Sequence, residues 1–447
     1  MLGVNDAPEK KPAHGVLLVT YWYPPAIGAA AERLESFARY LPEHDWTVHV
    51  LTAGRESAAP EYDGVAVHSV TDPRARPGPT FADYDPREQP SRWKGRLRDY
   101  VFPDRFRSWQ KDAFAYGQSL LTNQKVDVIL ASFPPASAAQ LALRLHLDAR
   151  TPLVLDFRDN WIGPGGYNPQ RKKALDAHLD LQRQALACAS AVITVSDAMA
   201  DHLANEHNID RAQILVIPNG YEPAGPDLPE LRPQPNNDVG AAPSGRAANP
   251  VTISHVGTVI RRNRPDLFFA AVAKLKEEDH AVLDGVCFRF VGNLSRDYLA
   301  EAGLSAIIQT TGLVPRDQAS AARQGADGLL LLTGNYVGQW GYSAKIFEYI
   351  QTGRPILCLE ETPGSNDRRL LEQFCRDRSF FAPVGDAAAI AEQLSGVKRY
   401  LAERSTPAME LDAIFRDYSR QALAAVLASK LAGLVETTNA TRRTGQT

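Results

Sequence analysis

Gly15-Val16-Leu17-Leu18-Val19-Thr20 runs into Tyr23-Pro24-Pro25-Ala26-Ile27-Gly28-Ala29-Ala30, and residues 32–41 follow with Leu34, Phe37, Ala38 and Leu41 at helical spacing. The first run lacks polar alternation, as expected of a strand buried on both faces. Strand, Pro/Gly loop and helix in this order open a parallel sheet. Short apolar runs at 47–52, 65–70, 127–132, 153–157, 191–195 and 214–217 continue the rhythm, with helical stretches between them. The pattern predicts an α/β domain over residues 14–221.

Residues 222–250 break the rhythm. They hold seven prolines and almost no apolar periodicity, which is linker composition. Apolar runs then resume at 251–256, 287–291, 306–311, 328–332 and 355–359, so a second Rossmann-like α/β domain is expected over 251–400. Closing helices are expected over 401–435, with a long one over 411–435 crossing back to the first domain, and a flexible tail over 436–447. The expected architecture is two parallel-sheet domains facing a cleft across a hinge.

Composition agrees. A chain of 447 residues is long enough for two cores. Its 44% hydrophobic and 23% charged content is that of a globular protein. A net charge of −3 gives no overall pull toward nucleic acid. Cys188, Cys287, Cys358 and Cys375 show no C-x-x-C spacing, and the first residues are polar and charged. A reduced, cytoplasmic chain is therefore expected. No run of about 18 apolar residues predicts a membrane span.

Four constellations could carry chemistry. Gly28 removes a side chain from the first βα loop, where ligands approach the C-terminal edge of a parallel sheet. Arg33, one turn into the next helix, could reach the same place or pair with a neighbour. Leu155-Asp156-Phe157-Arg158-Asp159-Asn160-Trp161 ends a buried strand in two carboxylates, a guanidinium and an indole. Arg158 could neutralise a phosphate or leaving group, and Asp159 could act as a base or orient an acceptor hydroxyl. Asp156 and Asp159 could equally cap or pair locally.

Gly257-Thr258-Val259-Ile260-Arg261-Arg262-Asn263-Arg264-Pro265-Asp266 is the first βα loop of the second domain. Three arginines ahead of a helix starting near Pro265 suit a diphosphate, with Arg264 the best single candidate. The alternative is a solvated basic loop. The fourth constellation is Gly341-Tyr342-Ser343-Ala344-Lys345-Ile346-Phe347-Glu348-Tyr349-Ile350-Gln351-Thr352-Gly353. It reads as a loop, a short helix and a glycine stop. N–H groups at the helix start would face phosphate, and Glu348 could accept from a ribose diol. Glu348 could instead complement the helix dipole, and Lys345 could meet phosphate or pair with Glu348 at i,i+3, with Tyr342 and Ser343 on the same expected donor-binding loop.

Two further patterns lack the context their chemistry needs. Asp83-Tyr84-Asp85 has the spacing of a metal-assisted transferase but sits in a Pro-rich loop. Gly163-Pro164-Gly165-Gly166 lacks the third glycine of a dinucleotide fingerprint. No metal site is expected. Residues 91–111 interleave basic residues with Trp93, Tyr100, Phe102, Phe106 and Trp109. They could lie on the inner face of an anionic membrane or pack their aromatics inward as a flap.

Taken together, these motifs resemble the retaining glycosyltransferases of the GT-B fold, family 4, from about residue 16 to residue 431. The Tyr-Pro-Pro loop with Gly28, the 156–161 segment, Val192-Ile193-Thr194-Val195-Ser196 and Ile217-Pro218-Asn219-Gly220 carry the likeness. So do His255-Val256-Gly257-Thr258, Gly312-Leu313-Val314-Pro315 and the 345–355 run. The Asp-Phe-Arg-Asp-x-Trp form resembles polysaccharide and lipopolysaccharide transferases.

The resemblance implies that a nucleotide-sugar donor binds the second domain, with no cofactor, and that a glycan, lipid-linked or small-molecule acceptor is glycosylated. It places Glu348 on the ribose, Arg264 on the diphosphate and the main chain at Val314 on the base. Arg261 or Arg262 stands in for a cation the family has at Thr258. Trp340 stands where the family has its first motif glutamate, leaving Gln339, Gly341 and Tyr342 as local substitutes. A nucleotide-sugar-binding protein or epimerase on the same fold is the alternative, and the missing glycine fingerprint argues against a dehydrogenase.

Overall fold

A computed structural model describes residues 12–26, 28–54, 59–74, 99–163, 166–223, 250–294, 304–403 and 413–444. Asp83 and Asp85, residues 91–98 of the basic aromatic segment and residues 224–249 of the expected linker lie outside them. The chain divides into two compact units. The first runs to Asn219 and includes the chain from Arg420 onward; the second is Gly220–Ser419.

The first unit is a seven-stranded sheet of β1 (His14–Val19), β2 (Trp46–Thr52), β3 (Val65–Ser69), β4 (Val128–Phe133), β5 (Leu153–Phe157), β6 (Ala189–Thr194) and β7 (Ile214–Val216). Its order is β3-β2-β1-β4-β5-β6-β7, with parallel pairing at each junction. Successive residues of β1 serve opposite faces, as a period of two requires. Leu17 and Val19 join Phe133, Leu155 and Phe157 on one side, and Val16 and Leu18 join Trp46, Val48 and Val50 on the other. Both faces are covered, which is why these strands read as unbroken apolar runs.

The second unit repeats the plan with β8 (Val251–Val256), β9 (Val286–Val291), β10 (Ile308–Gly312), β11 (Gly328–Thr333), β12 (Ile356–Glu360) and β13 (Ser379–Pro383) in the order β10-β9-β8-β11-β12-β13. Phe288, Phe290, Leu330 and Leu332 face one core; Leu329, Leu331, Ile356 and Cys358 face the other. Each sheet reverses its winding once, between β1 and β4 and between β8 and β11. The C-terminal strand ends beside such a reversal form the natural ligand crevice of a doubly wound sheet.

Three sequence expectations are adjusted. The edge strand β13 was not anticipated. The long closing helix is broken: a short helix Ala413–Arg416 is separated from Arg420–Thr444. The break has a cause, because Tyr418 O accepts from Tyr221 N at 3.1 Å instead of continuing a helical ladder. The helix then runs through most of the segment expected to be a flexible tail. Its Leu423, Leu427, Leu431 and Val435 pack with Val16, Leu34 and Trp46 of the first unit, and Arg420 pairs with Glu32 at 3.1 Å.

The described part of 91–111 turns its aromatics inward, as the flap alternative had it. Phe106 and Trp109 are buried, and Tyr21 packs on Phe106 with ring centroids 4.1 Å apart. Tyr100 remains 65% exposed, with the Arg171 guanidinium 3.9 Å from its ring centroid. Among the described residues no helix is long and apolar enough to cross a membrane.

Candidate functional site

In the second unit the switch point lies where the loop after β8 meets the loop after β11. Asn263 straps the two together: its Nδ2 donates to Leu332 O at 3.1 Å, and its Oδ1 accepts from Ile260 N at 3.2 Å. A Cβ on Gly334 would stand 1.8 Å from Arg262 O, so only glycine lets the loops close this far.

Lys345 reaches into this junction. Its ammonium donates to Thr258 O at 3.4 Å, and its stem lies against Gly257. Gly257 has φ +124, and a Cβ there would sit 2.3 Å from Lys345 Cε. Gly257→Ala therefore combines backbone strain with a steric clash. A loss of about 2 kcal/mol in chemical denaturation is expected. A midpoint equal to wild type would mean that the lysine side chain gives way freely.

Among the described residues Lys345 has no ion-pair partner within 4 Å. Burial pushes its ammonium down to about 8, partly offset by Glu348 and Asp367. Beneath it, His255 donates from Nδ1 to Leu330 O at 3.0 Å. Burial, then the Lys345 charge, holds that imidazole well below its ordinary value, so it is neutral. A half-buried cation with no carboxylate within 4 Å among the described residues, at a sheet switch point, is a ready acceptor for an anion.

The loop ahead of Lys345 is anchored from below. Asp367, fully buried, accepts from Ser343 N at 2.9 Å, from Ser343 Oγ, and from Thr333 Oγ1 at 2.9 Å. Burial raises its carboxyl despite these donors. Ser343 is thus a structural pin whose N–H and hydroxyl are both engaged by Asp367. Tyr342 meets Phe347 edge-on at 5.5 Å, and Val314 packs on the same apolar cluster. Glu348, on the helix Ile346–Gln351 that follows Lys345, meets Arg323 at 3.1 Å.

Arg264 behaves differently from expectation. It adopts left-handed φ 51 at the start of the helix Pro265–Glu277. Its guanidinium is taken up by Glu361 at 2.7 Å and Asp266 at 3.0 Å. Hydrogen bonds from Asp266, then Glu361, raise its pKa further. Two carboxylates around one guanidinium leave no net positive charge for a diphosphate, which weakens Arg264 as the leading candidate. Arg261 is exposed beside it, and Arg262 is half-buried.

In the first unit Asp156, expected among the catalytic residues, is held in a buried ion pair with Arg33. It is 0% exposed and Arg33 2% exposed. Arg33 Nη2 donates to Asp156 Oδ1 at 2.9 Å and Nε to Oδ2 at 3.1 Å, while Nη1 donates to Pro218 O at 3.0 Å. Ser132 Oγ donates to Asp156 at 2.9 Å and accepts from Arg158 Nε at 2.8 Å. Arg158 also donates to Pro134 O at 2.6 Å, so its guanidinium is oriented from below yet half-exposed, as is Asp159. Gly28, half-exposed with φ 139, begins the helix Ala29–Tyr40.

The structure thus gathers Gly257, Thr258 and Lys345 at one point, with Glu348 just beyond, and links Asp156 to Arg158 through Ser132. It draws Arg264 toward Asp266 and Glu361. Sequence reading missed Asp367, Glu361 and Arg323, which lie on elements far away in the chain and belong to no motif.

Residues 28–220 match a family model described as a glycosyl transferase 4-like domain. No curated relative matches the chain. Among solved structures, the chain is similar to sucrose-phosphate synthase from Thermosynechococcus elongatus, at TM-score 0.62 and 14% identity over 96% of this chain and 100% of that one. It is similar to HepE from Anabaena in complex with UDP-glucose, at TM-score 0.53 and 15% identity over 96% and 99%. WaaG, a glycosyltransferase involved in lipopolysaccharide biosynthesis, aligns at TM-score 0.55 and 12% identity over 94% and 100%.

Proposed function

We propose that this chain, whose residues 28–220 match a glycosyl transferase 4-like domain on a GT-B fold, is a glycosyltransferase that moves a sugar from a nucleotide-sugar donor to an acceptor hydroxyl with retention and without a metal ion. The acceptor is a glycan, a lipid-linked sugar or a small molecule, in polysaccharide, lipopolysaccharide or related glycoconjugate synthesis. The observation that carries this reading is the half-buried Lys345 ammonium at the switch point of the second sheet, beside Gly257 and, among the described residues, with no carboxylate within 4 Å. A diphosphate supplies the missing charge, and as it leaves, the ammonium stabilises the charge that develops on it.

In this proposal Lys345, main-chain groups at Gly257 and Thr258, and the outer Arg261 and Arg262 hold the diphosphate. Glu348 takes the ribose, and the main chain at Val314 takes the base. Tyr342 shapes the loop through Phe347, and Arg264 fixes the helix behind it. Gly28, Arg158 and Asp159 serve the reacting sugar and the acceptor. The UDP-glucose complex of the similar HepE supports a nucleotide-sugar donor, and the likeness to WaaG supports a glycoconjugate acceptor. Retention and metal independence rest on the family resemblance. Exposed Tyr100 with Arg171 is the remaining described candidate for peripheral membrane contact, at the inner face in a cytoplasmic setting.

The test is a panel of nucleotide sugars scored for acceptor-dependent release of nucleoside diphosphate, with the product anomer read by NMR and a chelator arm. Glu348→Ala is expected to raise donor KM at least about tenfold, with a far-ultraviolet spectrum like wild type. Donor binding without release for any plausible acceptor would favour a binding protein or an epimerase instead.

A further inference from the structure

Glu348 is not alone at its position. Arg323 Nη1 lies 3.1 Å from Glu348 Oε2, with the two side chains only 15% and 16% exposed. Arg323 occupies the last turn of the helix Arg316–Gln324, which begins directly after Leu313-Val314-Pro315. Among the described residues the other carboxylate oxygen, Oε1, has no partner. The backbone under Glu348 is fixed: Phe347 and Tyr349 are buried on either side, and the Tyr349 hydroxyl accepts from Val256 N at 2.8 Å. Only the three side-chain torsions of the glutamate are left to set, and a guanidinium on one oxygen sets them.

The pairing also has an electrostatic consequence. A bare carboxylate next to a bound diphosphate repels it, whereas a carboxylate neutralised by a guanidinium keeps an acceptor oxygen without presenting net negative charge.

We propose that Arg323 is a positioning residue for the donor: it holds Glu348 so that the open oxygen reads the ribose hydroxyls, making the site select ribonucleotides over nucleotides lacking those hydroxyls. This inference rests on the reading that the second unit binds a nucleotide sugar with Glu348 on the ribose. Arg323 touches neither reactant; it acts through Glu348.

The experiment is calorimetric titration of the full-length chain with UDP, ADP and GDP, each against its counterpart lacking both ribose hydroxyls. Wild type is expected to prefer the best ribonucleotide about tenfold or more, as for hydrogen bonds to a charged group. Arg323→Ala is expected to bring that preference to within about twofold while leaving the affinity for the hydroxyl-lacking counterpart unchanged, and Arg323→Lys to recover part of it. The unchanged counterpart affinity serves as the control for folding.

Preference retained in Arg323→Ala overturns this inference and leaves the donor reading standing. An equal fall for both ligands shows a general structural role and overturns it as well. Tighter ribonucleotide binding in Arg323→Ala would mean that the arginine competes with the ligand, which also overturns it. Wild type that binds none of the nucleotides overturns the donor reading and this inference with it.

Discussion

Lys345→Met is expected to unfold at a higher denaturant concentration than the wild-type chain while losing its affinity for a nucleoside diphosphate. The reason is the cost of keeping an ammonium in a half-buried junction where, among the described residues, no carboxylate lies within 4 Å. Its pKa falls from the ordinary 10.5 to about 8, with burial the leading cause. That depression corresponds to at most about 3 kcal/mol of destabilisation at neutral pH. Methionine keeps the apolar stem against Gly257 and gives up one long hydrogen bond to Thr258 O.

The pH dependence has a definite sign. Below about 8, both folded and unfolded wild type carry the proton and the full cost is present. Between about 8 and 10.5, the unfolded chain binds a proton that the folded chain does not, so wild-type stability rises with pH and the advantage of methionine shrinks. Nucleotide affinity of the wild type should move oppositely, weakening as pH rises through the same window. A loss of about a hundredfold in diphosphate affinity for the variant is the accompanying result, from the removal of a desolvated charge contact. A variant no more stable than wild type that still binds the nucleotide would sink both halves of the argument.

Breaking the Arg33–Asp156 pair is expected to cost far more than any exposed substitution. Both side chains are out of solvent, and each supplies most of the other's hydrogen bonds. Removing either partner leaves an uncompensated buried charge, so Arg33→Ala and Asp156→Ala should each lose about 3–5 kcal/mol. The double variant Arg33→Met with Asp156→Leu should recover much of that loss, because two apolar side chains replace two charges. Urea denaturation followed by circular dichroism measures all three. If Asp156→Ala kept wild-type stability and lost only turnover, Asp156 would be a catalytic carboxylate after all.

What the sequence disclosed depended on range. Runs such as Val16–Val19 or Leu329–Leu332 report their burial directly, because a strand covered on both faces tolerates few polar residues. Ser379–Pro383 escaped notice because an edge strand of five residues ending in proline gives little pattern. The position of the loop after β8 was also legible, since glycine at 257 and the arginines after it stand at the end of a readable strand. Their partners were not. Arg33 finds Asp156 across 123 residues, and Arg264 finds Glu361 across 97. Residue type announces a charge, but only folding decides which opposite charge meets it. The partners of Arg264, Asp156, Ser343 and Glu348 are hidden from the sequence for this one reason.

The return of the helix Arg420–Thr444 to the first unit has a consequence for the order of events during synthesis. Leu423, Leu427, Leu431 and Val435 complete the face that Val16, Leu34 and Trp46 begin, each contributing about 2 kcal/mol on burial. A ribosome delivers that helix only after the whole second unit has emerged. Until then the first sheet carries an uncovered apolar flank, and the nascent chain must shelter it or risk misassembly. Residues made after the second unit are therefore the ones that finish the first.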